Sequence, residues 1–212
     1  MLKTIKRLFI TIILCCMAVT GQAQEVWGGH YAGNSQTWYN WQLSTNGIYW
    51  LALCPNITAE VQNSDGYALQ LGYMGTWLNN NTSHRYWSYY GMHLEARYYI
   101  DGIYNYPPYV GHHFGVYGQW LTYDFEFGGT GYQSARPFRT WMAGVSYGYT
   151  FPLTKKLSLD LNIGIGFCHS GYDVYKPIND VGYYRTEKKN LNFVGPTRLE
   201  ASLVYLINGK NE

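Results

Sequence analysis

The chain has 212 residues, of which 13% are charged and 18% are aromatic, and its formal net charge is +2. The abundance of order-promoting residues excludes a disordered or collagen-like chain, the length fits one domain, and the weak charge indicates no surface for nucleic acid. Beyond the N-terminus the sequence has no stretch of about 18 consecutive apolar residues, so no transmembrane helix is expected.

The first 23 residues have the pattern of a secretory signal peptide. Lys3, Lys6 and Arg7 precede an apolar run over residues 8–19, which is too short to span a membrane. Small residues at positions 21 and 23 form a cleavage site. Cleavage would remove three of the 15 basic residues and none of the 13 acidic ones, so the predicted mature chain has a net charge of −1.

Residues 24–42 form an aromatic-rich segment that includes Trp27, Tyr31, Trp38 and Trp41. Two interpretations stay open at this point: the segment extends the first strand, or it docks a partner. The main domain is expected over residues 43–208, followed by a polar tail over 209–212.

Most of the predicted mature chain alternates between apolar and polar residues with a period of two, which is typical of β-strands. The alternation is cleanest over 157–168, where leucine and isoleucine alternate with polar residues and glycine. Proline cannot donate to a strand ladder, and all seven prolines fall between or at the ends of the predicted strands. Eight strands are predicted, over residues 43–53, 56–63, 67–78, 86–100, 111–126, 138–151, 157–170 and 196–207.

The composition of the two strand faces decides the fold class. The polar face consists mostly of Gly, Ser, Thr, Asn and Gln, which suits a narrow interior better than a water-exposed wall. The bulky apolar face does not fit inside eight strands, whose interior is just wide enough for side chains to fill. We therefore expect an all-β fold, an eight-stranded antiparallel up-and-down transmembrane β-barrel in the outer membrane, with a side-chain-filled lumen.

Turn lengths and aromatic positions orient this barrel. Bacterial barrels have short periplasmic turns, longer external loops and two aromatic girdles. Short inner turns are predicted at 63–66 and 152–156 and long outer loops at 128–137 and 172–195, although the outer turn at 54–56 is tight and the inner turn at 101–110 is long. The outer girdle is expected to contain Trp77, Tyr86, Trp87, Trp120, Tyr123, Phe138 and Trp141, and the inner girdle Tyr98, Tyr99, Tyr147, Tyr149, Phe151 and Tyr205.

Several ionisable residues lie on the predicted lumen face, and charges in a narrow lumen must pair or change protonation state. Asp160 and Arg198 lie on neighbouring strands, so we expect them to pair. The preferred interpretation is a polar plug without catalysis, and the alternative is a gated or proton-conducting pore. The candidate lumen network comprises Glu60, His93, Glu95, Arg97, Asp160, Arg198 and Glu200.

A lipid-modifying enzyme is the competing class, because a hydroxyl, a histidine and an acid occur close together at His169, Ser170 and Asp173. Adjacent residues on a strand point to opposite faces, so His169 cannot activate Ser170. His112 and His113 are excluded as a metal pair for the same reason. No catalytic residue, metal site or cofactor is therefore predicted.

Two further features lie near the predicted outer end. Cys54 and Cys168 are expected to be free thiols, with a disulfide as the alternative. Lys176, Arg185, Lys188 and Lys189 lie in the longest predicted outer loop, where they either meet anionic lipopolysaccharide or form a solvated loop diluted by acidic residues.

Five segments in order resemble a family of secreted β-barrel proteins of Bacteroidota that is known only as a domain of unknown function. They are LEARYYI at 94–100, FGVYGQW at 114–120, GVSYGY at 144–149, LNIGIGF at 161–167 and GPTRLEASLVYLI at 195–207. The resemblance covers residues 45–207 and implies no catalytic residues. Glu200 departs from a glycine expected in the last strand. Because genes of this family often neighbour fimbrial genes, the resemblance implies surface-appendage biology.

These observations favour a small integral outer-membrane barrel with a structural, anchoring or accessory role in a surface assembly. Its expected partners are outer-membrane lipid, lipopolysaccharide and a protein of that assembly. The alternatives are an outer-membrane lipid-modifying enzyme and a soluble ligand-binding barrel.

Overall fold

The computed structural model describes residues 39–63, 65–80, 85–100, 109–134, 136, 139–179 and 182–207. The predicted signal peptide, residues 24–38 of the aromatic-rich segment, and the tail over 209–212 lie outside these residues. So does Phe138 of the predicted outer girdle.

The described chain is almost entirely β-structure, with one short helix. The elements are β1 Tyr39–Asn46, α1 Gly47–Leu51, β2 Asn56–Asn63, β3 Tyr67–Asn80, β4 Arg85–Tyr99, β5 Gly111–Phe127, β6 Gly131–Ser134, β7 Thr140–Pro152, β8 Leu157–Asn179 and β9 Gly182–Leu206. Within the described residues, no helix has the length and apolar character needed to cross a membrane.

The strand pairings form a closed circuit. Each strand from β1 to β4 pairs antiparallel with the next, and the circuit continues from β5 to β7, from β7 to β8 and from β8 to β9. The last strand then pairs with the first, with Leu43 opposite Tyr205. The nine described strands therefore make one antiparallel sheet in which eight strands close into a ring, which confirms the all-β, mostly up-and-down prediction. The short β6 lies beside the ring, between β5 and β8.

The predicted first strand over 43–53 is wrong in its second half, where the chain forms α1. The side chain of Asn46 accepts a hydrogen bond from the backbone N–H of Ile48 at 2.9 Å, which caps the helix. Asn56 closes the connection, since its side chain accepts from the N–H of Asn46 at 2.6 Å and donates to the carbonyl of Cys54 at 3.2 Å. These local side-chain bonds override an apolar run that resembles a strand.

The long outer loop predicted over 172–195 is also wrong. Both β8 and β9 continue through it as a paired hairpin, and the register shifts between Gly164 and Ile165, between Val174 and Tyr175, and between Pro177 and Asn179. Pro196 lies inside β9 opposite Ile165, at the first of these shifts. A proline is tolerated there because that part of β9 has a neighbour on one side only among the described strands.

The two faces of the ring have inverted polarity. Leu161, Ile163 and Ile165 of β8 are between 43% and 56% exposed, whereas Asp160 and Asn162, at alternate positions, are each 3% exposed. The same alternation holds on β4, where Met92 and Leu94 are exposed and Glu95 is fully buried. The apolar rows therefore face outward and the polar rows inward, as the alternation predicts.

Two clusters of buried residues close the interior at its ends. At the short-turn end, defined by the turns at 63–66 and 153–156, Tyr99 and Tyr109 pack with Ala68 and Leu206. At the opposite hairpin end, the cluster contains Cys54, Met74 and Leu121, with Tyr49, Tyr89 and Met142 against it. The backbone of Tyr109 has a φ of +61° and its N–H donates to the side chain of Gln62 at 3.1 Å.

Three aromatic side chains depart from the predicted girdles because they face inward. Tyr99 is fully buried in the ring. The hydroxyl of Tyr123 bonds Oγ of Ser170 at 2.8 Å, and Trp87 packs on Phe125 while its indole N–H donates to the carbonyl of Ala52 at 3.0 Å. Trp77, in contrast, is 68% exposed on the outside.

At the hairpin end, part of the sheet extends beyond the ring. This projecting wall consists of residues 75–80 of β3, 85–90 of β4, 122–127 of β5, all of β6, 171–179 of β8 and 182–195 of β9. The hydroxyl of Tyr86 on β4 lies 2.7 Å from that of Tyr183 on β9, so the two sides of the wall are joined.

Candidate functional site

Six buried charged side chains of the predicted network meet in the middle of the ring interior. Strand register brings them together, since Glu60 lies opposite Gln70 and Gln70 lies opposite Glu95. On the other wall, Glu200 is opposite Asn162. Each charged residue occupies an inward-facing position, so the alternation directs all of them to one volume.

Arg97 is the centre of this ionic cluster and contacts four carboxylates. Its Nη1 lies 3.3 Å from Oε2 of Glu60 and 3.2 Å from Oδ2 of Asp160. Its Nε lies 2.9 Å from Oε2 of Glu95, and its Nη2 lies 3.3 Å from Oε2 of Glu200. One planar guanidinium therefore ties β4 to β2, β8 and β9.

Arg198 forms the second branch of the cluster. Its Nη1 donates to Oε2 of Glu95 at 2.7 Å, and its Nη2 donates to Oε1 of Glu200 at 2.8 Å and to the side chain of Gln70 at 2.9 Å. Its guanidinium carbon lies 5.3 Å from the centre of the Tyr117 ring, which is the geometry of a cation–π contact.

Further polar side chains complete the shell around two of the carboxylates. The hydroxyl of Tyr99 donates to Oε1 of Glu60 at 2.9 Å, and Gln70 donates to Oε2 at 3.2 Å. Nε2 of His113 lies 2.8 Å from Oδ1 of Asp160, which also accepts from the hydroxyl of Thr150 at 2.8 Å. Hydrogen bonds of this kind are required because a buried carboxylate without partners is strongly destabilising.

The other two carboxylates are satisfied in the same way. Ser146 donates to Oε1 of Glu95, and Asn162 donates to Oε2 of Glu200 at 3.2 Å. Gly115 makes room for the first of these contacts, because a Cβ at that position would overlap the Glu95 carboxylate and the Ser146 hydroxyl.

The predicted pairing of Asp160 with Arg198 is wrong. Arg198 lies opposite Gly164, four residues along β8 from Asp160, which corresponds to a separation of about 13 Å. Asp160 instead pairs with Arg97 from across the ring. Adjacency of two strands does not place two residues at the same height, and the register decides this.

His93 and His113 both face the interior of the ring. His93 is buried on the inner face as predicted, and within the described part of the chain its Nε2 has no hydrogen-bond partner. His113 is absent from the predicted lumen network, but it belongs to the cluster through its contact with Asp160. The faces of the fifth predicted strand are ambiguous in sequence, and this ambiguity hid His113. The sequence predicts Tyr99 in the inner girdle and Tyr109 in the inner turn at 101–110, but both side chains are buried in the interior.

The residues of the candidate hydrolytic site do not converge. His169 faces outward, where its Nδ1 lies 2.7 Å from Oδ1 of Asn192. Ser170 faces inward, with its Oγ 2.7 Å from the hydroxyl of Thr140. Asp173 lies 3.3 Å from Arg139 instead. Across the described part of the chain, no group of three or more His, Cys, Asp or Glu side chains is arranged to hold a metal ion. Cys54 and Cys168 are buried free thiols.

The four predicted surface cations divide between the two faces of the projecting wall. Arg185 and Lys188 share a face with Asp173: Nη1 of Arg185 lies 3.8 Å from Oδ2 of Asp173, and Lys188 is its partner across the strands. On the other face, Lys189 lies 2.8 Å from Oε2 of Glu187, and together with Lys176 it lowers the pKa of that carboxyl. The wall therefore has no single basic patch made of these four residues.

Comparison with known proteins places the chain in a family but gives no function. A family model described as a protein of unknown function, DUF3575, matches residues 8–207. No curated protein and no solved structure matches the chain. The family match covers nearly the whole chain, and the chain therefore belongs to the DUF3575 family of proteins of unknown function.

Proposed function

We propose that this protein is a small β-barrel of the bacterial outer membrane with a structural, anchoring or accessory role in a surface assembly and no chemistry of its own. The observation that carries the proposal is the inverted polarity of the ring, with exposed Leu161, Ile163 and Leu199 outside and Arg97 and Arg198 buried inside. Soluble proteins rarely expose apolar rows of this extent, whereas lipid-facing strands require them.

The ring is of a size that suits a bilayer. Transmembrane strands need about 9–11 residues tilted by about 45°. β7 has 13 residues, and β5 pairs with it from Gly111 to Leu121. In this proposal the short turns face the periplasm, the projecting wall faces outward, and outer-membrane lipid and lipopolysaccharide surround the barrel. A Bacteroidota origin, a cleaved signal peptide and a link to fimbriae belong to the same proposal.

The interior argues for a plug rather than a pore. A solute or proton path needs polar groups that reach both ends, but buried side chains close the cluster off on both sides, with Tyr99 and Tyr109 at one end and Cys54, Met74 and Leu121 at the other. A soluble ligand-binding barrel would need an apolar cavity, and here the middle of the interior is occupied by ion pairs. The separated positions of His169, Ser170 and Asp173 argue against hydrolysis at that site.

A pair of matched arginine substitutions tests the membrane part of the proposal. Ile163 is 46% exposed at mid-height of the ring, and Ile178 is 59% exposed in the projecting wall. In a bilayer, Ile163→Arg costs about 2–4 kcal/mol and prevents accumulation of the barrel in the outer-membrane fraction, while Ile178→Arg has no effect. Equal tolerance of both, with the protein in the soluble periplasmic fraction, would refute the proposal. A shift in gel mobility between unboiled and boiled samples should accompany correct insertion.

The anchoring role is tested on protein extracted from the outer membrane in mild detergent. A tagged full-length chain is expected to co-purify with a protein partner in fixed stoichiometry, and the complex should run as one band on a native gel. A barrel that runs alone as a monomer under these conditions contradicts the anchoring role.

A further inference from the structure

Among the described strands, most of β9 has a neighbour on one side only. β1 pairs with β9 over residues 202–206, whereas β8 pairs along nearly the whole strand. Near the ring, the side chain of Asn46 covers the open side, since it donates to the carbonyl of Leu199 and accepts from the N–H of Ala201, both at 3.3 Å. Farther out, no described strand lies beside β9.

The uncovered part has the properties of a strand template. Between the register shifts, residues Glu187–Gly195 pair with β8 without interruption and contain no proline. In an antiparallel ladder, alternate residues direct their N–H and C=O groups away from the neighbouring strand, so this β9 edge presents a row of backbone donors and acceptors. Leu191, Phe193 and Val194 beside them are 51%, 44% and 74% exposed.

The side chains of the β9 edge indicate what would pair with it. Within Glu187–Gly195, Lys188 and Lys189 give two positive charges against the single negative charge of Glu187, and Arg185 lies just beyond the end of this stretch. Opposite charges on facing residues stabilise a strand pair, and like charges destabilise it. A complementary strand therefore carries carboxylates opposite the lysines and apolar side chains beside Leu191 and Phe193.

Two strands that could pair with β9 without a different protein are excluded: the N-terminal segment of this chain and a second copy of it. Residues 24–38, the part of the predicted mature chain before β1, span at most about 54 Å when extended. Their attachment point, Tyr39, lies at the short-turn end, about 46 Å from Gly195 and about 70 Å from Lys188 along β1 and β9, so they cannot reach the charged end of the stretch. Two copies inserted in one membrane have parallel β9 strands, and pairing them in register would put each lysine opposite itself.

We propose that the β9 edge, Glu187–Gly195, is a strand-addition site that binds an extended acidic segment of a protein partner. Backbone hydrogen bonds supply affinity, and the two lysines select the charge of the segment. This inference rests on the proposed anchoring function, because it names the surface through which the barrel holds its partner.

The test uses the full-length protein in detergent and a fluorescently labelled nine-residue probe peptide of alternating valine and threonine with two glutamates near one end. Fluorescence anisotropy is expected to show at least tenfold tighter binding of this peptide than of one with lysines in place of the glutamates. The same acidic peptide with alternate backbone nitrogens methylated should lose binding, because it cannot donate to the edge.

Two double variants complete the test. Lys188→Glu with Lys189→Glu should reverse the preference between the acidic and basic peptides. The matched control, Lys155→Glu with Lys156→Glu at the short-turn end, should leave the preference unchanged. Equal binding of both peptides, retained binding of the methylated peptide, or displacement of the peptide by self-association would overturn the proposal. The unboiled-gel shift measured on the same sample reports the barrel separately, so a folded barrel without peptide binding refutes the edge site alone.

Discussion

Arg97 of β4 and Asp160 of β8 meet across the ring, with Nη1 of the arginine 3.2 Å from Oδ2 of the aspartate. Their strands are not neighbours, since β5 and β7 lie between them in the circuit of pairings. The ion pair therefore exists only when the sheet is closed. It makes the ionic cluster a tie between opposite walls, and several predictions about stability depend on this tie.

Replacing Arg97 by methionine leaves four buried carboxylates with one arginine. Removing one partner of a buried ion pair costs about 3–5 kcal/mol, so the variant should unfold at much lower urea concentration. Tryptophan fluorescence in detergent during urea titration measures this loss. Arg139→Met, which breaks a partly exposed pair with Asp173, should cost less than about 1 kcal/mol. Equal losses in the two variants would show that the cluster does not hold the walls together.

Replacing Tyr99 by phenylalanine removes a buried hydroxyl from the carboxylate of Glu60 and leaves an acceptor short of a donor. The expected loss is about 1–3 kcal/mol in the free energy of unfolding. The control is Tyr98→Phe on the neighbouring outward position, where the ring packs on Tyr67 at 5.0 Å and should keep that contact. A Tyr99 variant as stable as the Tyr98 variant would contradict the assigned hydrogen bond.

Replacing Gly115 by alanine places a methyl group against the Glu95 carboxylate and the Ser146 hydroxyl. Overpacking of this kind typically costs about 1–3 kcal/mol, and the temperature at which the gel-mobility difference disappears should fall. Gly129→Ala is the matched control, since a Cβ there meets no atom within 4 Å. If both variants keep the same transition temperature, the interior is less tightly packed than the contacts indicate.

Asp173 links the stability of the projecting wall to pH. Burial raises the pKa of this carboxyl, but Arg139, Arg185 and Lys188 together hold it below the ordinary value of 3.8. Because the folded pKa is the lower one, the stabilisation is complete above pH 3.8 and is lost as the pH falls through the folded value. A carbon-13 NMR titration of the carboxyl group should show the low pKa, and Arg139→Gln should move it back towards 3.8. An unchanged value in that variant would remove Arg139 as a cause.

Much of the fold could be predicted from sequence patterns, because the alternation that marks a strand and its two faces involves only neighbouring residues. Alternation along a strand determines which side chains share a face, so Ile163 outside and Asp160 inside were both predictable. The mispredicted elements depend on side-chain bonds and strand pairings that the alternation of a single segment does not contain. The apolar run at 47–53 contains α1 because the Asn56 side chain bonds both the N–H and the carbonyl of Asn46. Residues 172–195 form strands because β8 and β9 pair with each other through this stretch.

The sequence by itself determined the inverted polarity and the set of charges that must share the interior, because a period of two assigns every residue of a strand to one face, whichever strand it pairs with. The tertiary structure alone decided which charges meet. Closure and register put Arg97 beside Asp160 and move Arg198 about 13 Å away from it, and they bring His113 into the cluster. Height along a strand depends on its partner's register, and that information is not contained in the alternation of a single strand.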